Sequence, residues 1–444
     1  MKRIVFIVLV VFALFGSCKN TPSTPATPKP PVLVLEHANL IDGISDAPQR
    51  DVTVVVAEGK ISVVSAAPIS PPANAERFDL SGRWLLPGFI DAHIHPTELK
   101  VIQRMLASDG MTTGRSMLTI RYFDVELRER HRRGEFDIPD ILAAGYAVAP
   151  NIGKFPMYEL SDTFLFSDHP QLKDLRGVAD IGVAGAQRLV RANLDRHVDV
   201  IKVFATNTAW ELNNAPRGRA LSNEELAAAV AEARNAGIPA AAHAYGDDGV
   251  TAAVRAGVSS IEHGVYLADA TLELMKIKNV IYVPTISAFR PPGQGQRVLS
   301  FLAVTLVPPA SLICQAWRLR DKANSDDSLA AREKDMAISV RDSARRARKM
   351  GLRVIAGTDH GGSIGEEIME LAGIGMTPME AIQAATSRSA EALGISKRTG
   401  SIRPGLEADL IVLDGNPLEN ITAVLNVALV VNDGRIAANR LPVK

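Results

Sequence analysis

The sequence predicts an α/β fold, a (β/α)8 TIM barrel with a small β-sandwich domain built from both chain termini. Three observations predict it. Between residues 87 and 399, strand-like and helix-like segments alternate, the pattern of parallel β/α units. Eight of those segments read as strands, the number that closes a barrel. Short β-branched runs stand at both ends of the chain, and the economical reading joins them in one β domain beside the barrel.

With 444 residues, 47% of them hydrophobic, the chain can bury the core of one large domain and a smaller one. Its 49 basic residues balance 49 acidic ones, and aromatic residues make up only 5%. No basic face of the kind that binds nucleic acid is expected, so the expected partner is a small-molecule or dipeptide substrate. The composition also allows a homo-oligomer.

Residues 1–17 read as a signal peptide. Lys2 and Arg3 precede an apolar run from Ile4 to Phe15, too short to span a bilayer as a mature helix, and Gly16-Ser17-Cys18 follows. The small pair before a cysteine looks like a bacterial lipoprotein cleavage site. Cys18 would then be the lipidated first residue of an exported, periplasmic or outer-membrane protein that meets the membrane through its lipid anchor alone. Phe15 stands where such sites usually carry Leu, Val or Ile, so an ordinary cleaved signal peptide is the other reading. Cys314 is the only other cysteine, which leaves no intramolecular disulfide once Cys18 is lipidated or removed. Residues 18–31 form a linker rich in Pro and Thr, and Thr21–Pro31 favours extended polyproline geometry reaching roughly 30 Å at about 3.1 Å per residue.

Residues 32–86 and 400–444 are assigned to the composite β-sandwich domain. Its strands are expected at Val32–Leu35, Val52–Val56, Ile61–Val64, Ala408–Leu413 and Val427–Val431, with turns at Asp42-Gly43, Glu58-Gly59 and Asp433-Gly434. Residues 87–399 form the barrel. Its first strand lies in Leu86–His95, and the others near Met111–Met117, Ile141–Ala149, Val198–Phe204, Ile238–Ala244, Ser259–His263, Val280–Thr285 and Leu352–Thr358. Ser222-Asn223-Glu224-Glu225 is a capping box, and Thr377 followed by Pro378 opens another helix, with Gly237 and Gly394 as the expected stops. The stretch Ser287–Asp326 is too long for a simple connection and is expected to cover the mouth of the barrel.

In a strand, residues two apart face the same way, so His93 and His95 both point beyond the carboxyl end of the first barrel strand. Two imidazoles can grip a divalent metal there, although an isolated His-x-His also occurs in turns. Later strand ends add Lys202 in Val-Ile-Lys-Val-Phe, His243 in Ala-Ala-His-Ala, His263 in Ile-Glu-His-Gly and Asp359 in Gly-Thr-Asp-His-Gly. Taken singly, His243 reads as a core histidine, Lys202 as a surface lysine and Asp359 as a helix cap. Together they would require five strand ends to carry metal-compatible residues by accident, at the face where α/β barrels build active sites. His37, His131, His169 and His197 read as loop or polar-face residues, and His360 should face away from its neighbour Asp359.

The run Pro87-Gly88-Phe89-Ile90-Asp91-Ala92-His93-Ile94-His95 resembles the opening motif of the metal-dependent amidohydrolase superfamily. Gly110-Met111-Thr112-Thr113 and the closing stretch Gly400–Leu410 extend the resemblance over nearly the whole mature chain, which is most similar to the imidazolonepropionase-like and bacterial Xaa-Pro dipeptidase branch. The resemblance implies two divalent metal ions, usually zinc. His93, His95 and Asp359 would hold one and His243 and His263 the other, bridged by N6-carboxylated Lys202 and a hydroxide. The chemistry explains why a lysine serves: an ammonium with a reference pKa of about 10.4 repels metals, whereas its carbamate is a long-armed carboxylate. Asp359 would also take the hydroxide's proton and pass it to the leaving group. Tyr245 matches a position that approaches the substrate carboxylate in the dipeptidase branch, a purely structural tyrosine being the other reading. Related enzymes often carry Gly-Gly-His-Gly after the third strand. This chain has Pro150-Asn151-Ile152-Gly153-Lys154-Phe155 instead, where Lys154 is the group that could meet a substrate carboxylate.

The expected function is an exported binuclear metallohydrolase that cleaves an amide bond in a dipeptide or other N-acyl amino acid. Opening of a cyclic amide or lactone ring is an alternative that the same nucleophile allows. A catalytically silent surface-binding lipoprotein is a third reading, against which the full set of metal-site residues counts.

Overall fold

The computed structural model describes residues 30–70, 72–150, 165, 167–176, 178, 180–207, 218–289, 327–359 and 362–441. The signal peptide, Cys18, most of the linker, Lys154, His360 and positions 290–326 of the expected covering stretch lie outside the described residues.

Five strands precede the barrel: β1 (Leu33–Leu40), β2 (Gln49–Ala57), β3 (Lys60–Ser65), β4 (Glu76–Asp79) and β5 (Trp84–Pro87). After it come β13 (Leu410–Leu413), β14 (Val427–Asn432) and β15 (Arg435–Asn439). They form one eight-stranded sheet in the order β15-β14-β13-β5-β1-β2-β3, with β4 paired to β1, so strands from both ends of the chain share it. Side-chain alternation decides how this sheet docks. Leu85, Leu410, Val412, Leu429 and Val431 face the β domain's own core, whereas Trp84, Leu86, Ile411, Leu413 and Val430 join the core of the barrel. Burying such a side chain contributes about 1.5–3 kcal/mol relative to leaving it exposed, so packing holds the two regions together.

The barrel strands are β6 (Phe89–Ile94), β7 (Met111–Ser116), β8 (Asp140–Leu142), β9 (Ile201–Phe204), β10 (Ala240–Tyr245), β11 (Ser260–Val265) and β12 (Ile281–Val283). Their pairings are parallel. Residues 354–359 take the eighth position, joined to β12 by a Tyr282–Val354 bridge and to β6 by an Ile94–Asp359 bridge. A Val148–Val203 bridge links the segment after β8 to β9, and the ring is closed. The third strand is shorter than its apolar run suggests. Past Leu142 the amides of Ala144 and Gly145 turn to the buried Asp124 carboxylate, at 2.8 and 2.9 Å, instead of continuing the ladder. Close approach of the eighth segment to the first strand depends on Gly357, where a Cβ would lie 2.5 Å from Val283 Cγ1 and 3.0 Å from His93 Cβ.

Around the barrel run α1 (Leu99–Asp109), α2 (Phe123–Arg132), α3 (Gly182–Leu194), α4 (Asn223–Asn235), α5 (Gly246–Ala256), α6 (Asp269–Ile277) and α7 (Asp327–Lys349). They are followed by α8 (Ile364–Gly373), α9 (Pro378–Ala384) and α10 (Ser387–Ala392). Ser222 and Thr377 make both reciprocal bonds of a capping box, and Ser363 does the same at the start of α8. The helical pattern from Thr377 to Gly394 is two helices rather than one. It breaks after Ala384 because the carbonyls of Ala384 and Ala385 accept the amides of Ala356 and Ile90, tying the chain to the last and first barrel strands.

Candidate active site

Alternation along β9 sends Ile201 and Val203 into the core between barrel and helices and turns Lys202 inward. Lys202, His93, His243 and His263 are all buried. The imidazoles stand in a row, with ring centroids 5.3 Å apart from His95 to His93, 5.0 Å from His93 to His263, and 4.7 Å from His263 to His243. Asp359 closes one end of the row, its Oδ1 lying 3.0 Å from His95 Nε2 and 3.7 Å from His93 Nε2. One ligand atom from each of His93, His95 and Asp359 falls within 4.8 Å of the others. His93 Nε2 is buried without a hydrogen-bond partner. A buried nitrogen lone pair facing a carboxylate and a second imidazole fits a divalent cation, so the donor set suits a metal.

The other ring nitrogens are engaged. His93 Nδ1 lies 2.8 Å from Glu262 Oε2, His95 Nδ1 3.1 Å from the Leu118 carbonyl, His263 Nδ1 2.8 Å from Thr285 Oγ1, and His243 Nε2 3.1 Å from the Asn207 carbonyl. Such contacts fix ring orientation and tautomer, and so decide which nitrogen can face a metal.

Backbone conformation completes the arrangement. His263, Asp359 and Thr285 have φ of 70°, 57° and 49°, left-handed values that cost on the order of 1–3 kcal/mol each and are rare for a β-branched residue. In regular strand geometry Glu262 and His263 would face opposite ways. The turn at His263 brings both into contact with His93.

Burial, reinforced by the charge of Lys202, holds His93 well below the ordinary histidine range and pushes His243 down to about 3. Burial, then the neighbouring His243, does the same to His263. These rings are neutral at physiological pH, the form that ligates metals. Burial also pushes the Lys202 ammonium down to about 8, against the opposing charges of Glu262 and Asp359. The lowered value favours the free amine, the form that reacts with carbon dioxide.

Of the residues singled out from sequence, His93, His95, Lys202, His243, His263 and Asp359 come together, and Tyr245 joins them. Its buried ring lies 4.5 Å from His243 and 5.7 Å from His263. Phe204 stacks on His243 at 4.8 Å, and Phe289 stands 6.0 Å from His263. Glu262, Arg115 and Thr285 were not evident from sequence, although an arginine inside the strand-like Met111–Met117 segment was a signal that something inside the barrel needs its charge. The remaining described histidines lie elsewhere: His37 pairs with Asp51, His131 with Asp433, and His169 with Tyr122, while His197 occupies a turn.

Residues 133–437 match the amidohydrolase family. Over 423 residues, 88% of this chain and 82% of the relative, the sequence is 27% identical to ochratoxinase of Aspergillus niger. A solved Xaa-Pro dipeptidase with methionine bound in its active site superimposes with a TM-score of 0.73 at 26% identity, over 91% of this chain and 99% of that one. A solved amidohydrolase does so with a TM-score of 0.74 at 26% identity, over 93% and 100% of the two chains.

Proposed function

The chain belongs to the amidohydrolase family, and from that premise we propose that this hydrolase of C–N bonds is metal-dependent and cleaves the amide of a dipeptide or other N-acyl amino acid. The observation that carries the metal reading is the convergence of His93, His95 and Asp359 within 4.8 Å, with His93 Nε2 buried and without a hydrogen bond. In this reading His93, His95 and Asp359 would hold one divalent ion, zinc, and His243 and His263 a second, with Lys202, once N6-carboxylated, able to serve both. When bound, such a pair polarises a substrate carbonyl and makes a water acidic enough to attack at neutral pH. The chain's own residues do the rest. Asp359 takes a proton and returns it to the departing nitrogen, Tyr245 orients the substrate beside His243, and Phe204 and Phe289 keep water from the flank of the site.

Similarity to an ochratoxinase and an Xaa-Pro dipeptidase supports a linear amide over a ring. Purified protein is to be assayed on a panel of dipeptides and N-acyl amino acids beside lactones and hydantoin-type rings, before and after chelation. Turnover of linear amides that is lost on chelation and restored by zinc is the expected result. Turnover confined to rings would favour the alternative, and full activity without metal would end the metal-dependent reading.

A further inference from the structure

We propose that the two metal positions are unequal and that Glu262 is the positioning residue that makes them so, by turning His93 into the strongest imidazole donor of the site. The inference rests on the metal-dependent reading above. Among the described residues, the carboxylate that meets the far ring nitrogen of one of these four imidazoles is Glu262, behind His93. Leu118 and Asn207 offer His95 and His243 a backbone carbonyl, and Thr285 offers His263 a hydroxyl. A ring N–H that donates to a carboxylate leaves more negative charge on the opposite nitrogen than one that donates to a neutral oxygen. The lone pair so enriched is Nε2 of His93, the buried atom that makes no hydrogen bond.

Glu262 is built to do this. Fully buried, it uses Oε1 to accept from Arg115 Nη2 at 2.8 Å and from the Ser260 hydroxyl at 2.5 Å, which leaves Oε2 for His93. Arg115 is itself fixed, donating from Nε to the Ala92 carbonyl at 2.7 Å and from Nη1 to Ser260 Oγ at 3.2 Å. The carboxylate therefore cannot swing away, and the guanidinium offsets its burial. If the Arg115–Glu262 pair served only to brace β7 against β11, the metal site would not feel its loss. If Glu262 acts through His93, the position made by His93, His95 and Asp359 is the tighter one and fills first, and that of His243 and His263 fills second.

The test is a zinc titration of the metal-free protein in competition with a chromophoric chelator, repeated with cobalt(II) and read by visible absorption. Wild type should show two steps of different affinity. Glu262→Gln should weaken the tighter step about ten- to a hundredfold, the usual effect of removing an outer partner of a metal-bound histidine, and leave the looser step nearly unchanged. Because that variant strands the Arg115 charge, the Arg115→Met, Glu262→Gln double variant is titrated beside it, and the same loss should persist. A tighter step that survives in the double variant would overturn the role of Glu262, as would two equal steps in wild type. A wild-type protein that takes up no zinc would instead overturn the metal-dependent reading itself.

Discussion

Asp91 and Thr358 are joined across the closing seam of the barrel, the Thr358 hydroxyl donating to Asp91 Oδ2 at 2.6 Å. Asp91 Oδ1 accepts the amides of Thr358 and His93, each at 3.0 Å. One buried carboxylate thus grips the first strand at His93 and the last at the residue before Asp359. Groups separated by most of the chain are brought into register by it.

Asp91→Ala should therefore do two things at once. Leaving buried donors unsatisfied should cost on the order of 2–4 kcal/mol of stability, and bound metal should fall because His93 and Asp359 lose their common reference. Denaturant unfolding and metal analysis of the same preparation check both. A variant that loses stability but keeps full metal content would show that the seam braces the barrel without setting the site.

A second junction titrates. His131 on α2 meets Asp433 in the turn between β14 and β15, Nε2 to Oδ2 at 3.0 Å, and so links barrel to β domain. Burial works to lower the His131 pKa, but the hydrogen bond and charge of Asp433, with Asp140, raise it on balance. For Asp433, burial works upward, and the hydrogen bond and charge of His131, with Arg398 and Arg435, bring it down on balance. A raised histidine contributes stability that is complete below its unfolded value of about 6.5 and is lost as pH rises through the folded value. The lowered aspartate contributes stability above its unfolded value that is lost as pH falls through the folded one. Wild type should thus exceed His131→Gln in stability most on the acid side of neutrality, with the gap narrowing as pH is raised. Melting temperatures of both proteins across that range decide it, and a gap independent of pH would remove the ion pair from the account.

The residues that converge at the strand ends could be read from sequence because each ends a strand-like run and carries a side chain of a type that metal chemistry favours. Glu262 could not. Strand alternation places it opposite His263, and only the left-handed backbone at His263 brings both inside. The break after Ala384 was hidden for a different reason. The helical pattern continues through it, and the demand for those two carbonyls comes from β6 and the eighth segment, remote in sequence. The early end of β8 is likewise set by Asp124, which lies about twenty residues upstream. Local pattern carries no trace of such tertiary competition for backbone groups.

Export makes its own prediction. Among the described residues no helix is long and apolar enough to cross a membrane. The lipoprotein reading rests on Cys18. The mature protein should begin at Cys18 and partition with membranes, and Cys18→Ser should release it. Amino-terminal sequencing that maps elsewhere, or wild-type protein already free of the membrane fraction, would leave only the signal-peptide reading.

Lys202 provides the most direct test of the binuclear reading, because a buried lysine 1% exposed has no evident structural use among neutral imidazoles. If its carbamate is the shared ligand, Lys202→Ala leaves two cations facing each other with less negative charge between them. Their repulsion, large at such short range, is then less compensated, and metal content should fall together with turnover. Acetate or propionate should restore part of both by placing a carboxylate in the space the side chain vacated. Lys202→Arg should not be rescued, since the guanidinium fills that space and stays protonated. Metal analysis and rates measured across a carboxylate series separate the possibilities. A Lys202→Ala protein that keeps two ions and near wild-type turnover would show that the site does without a bridging lysine.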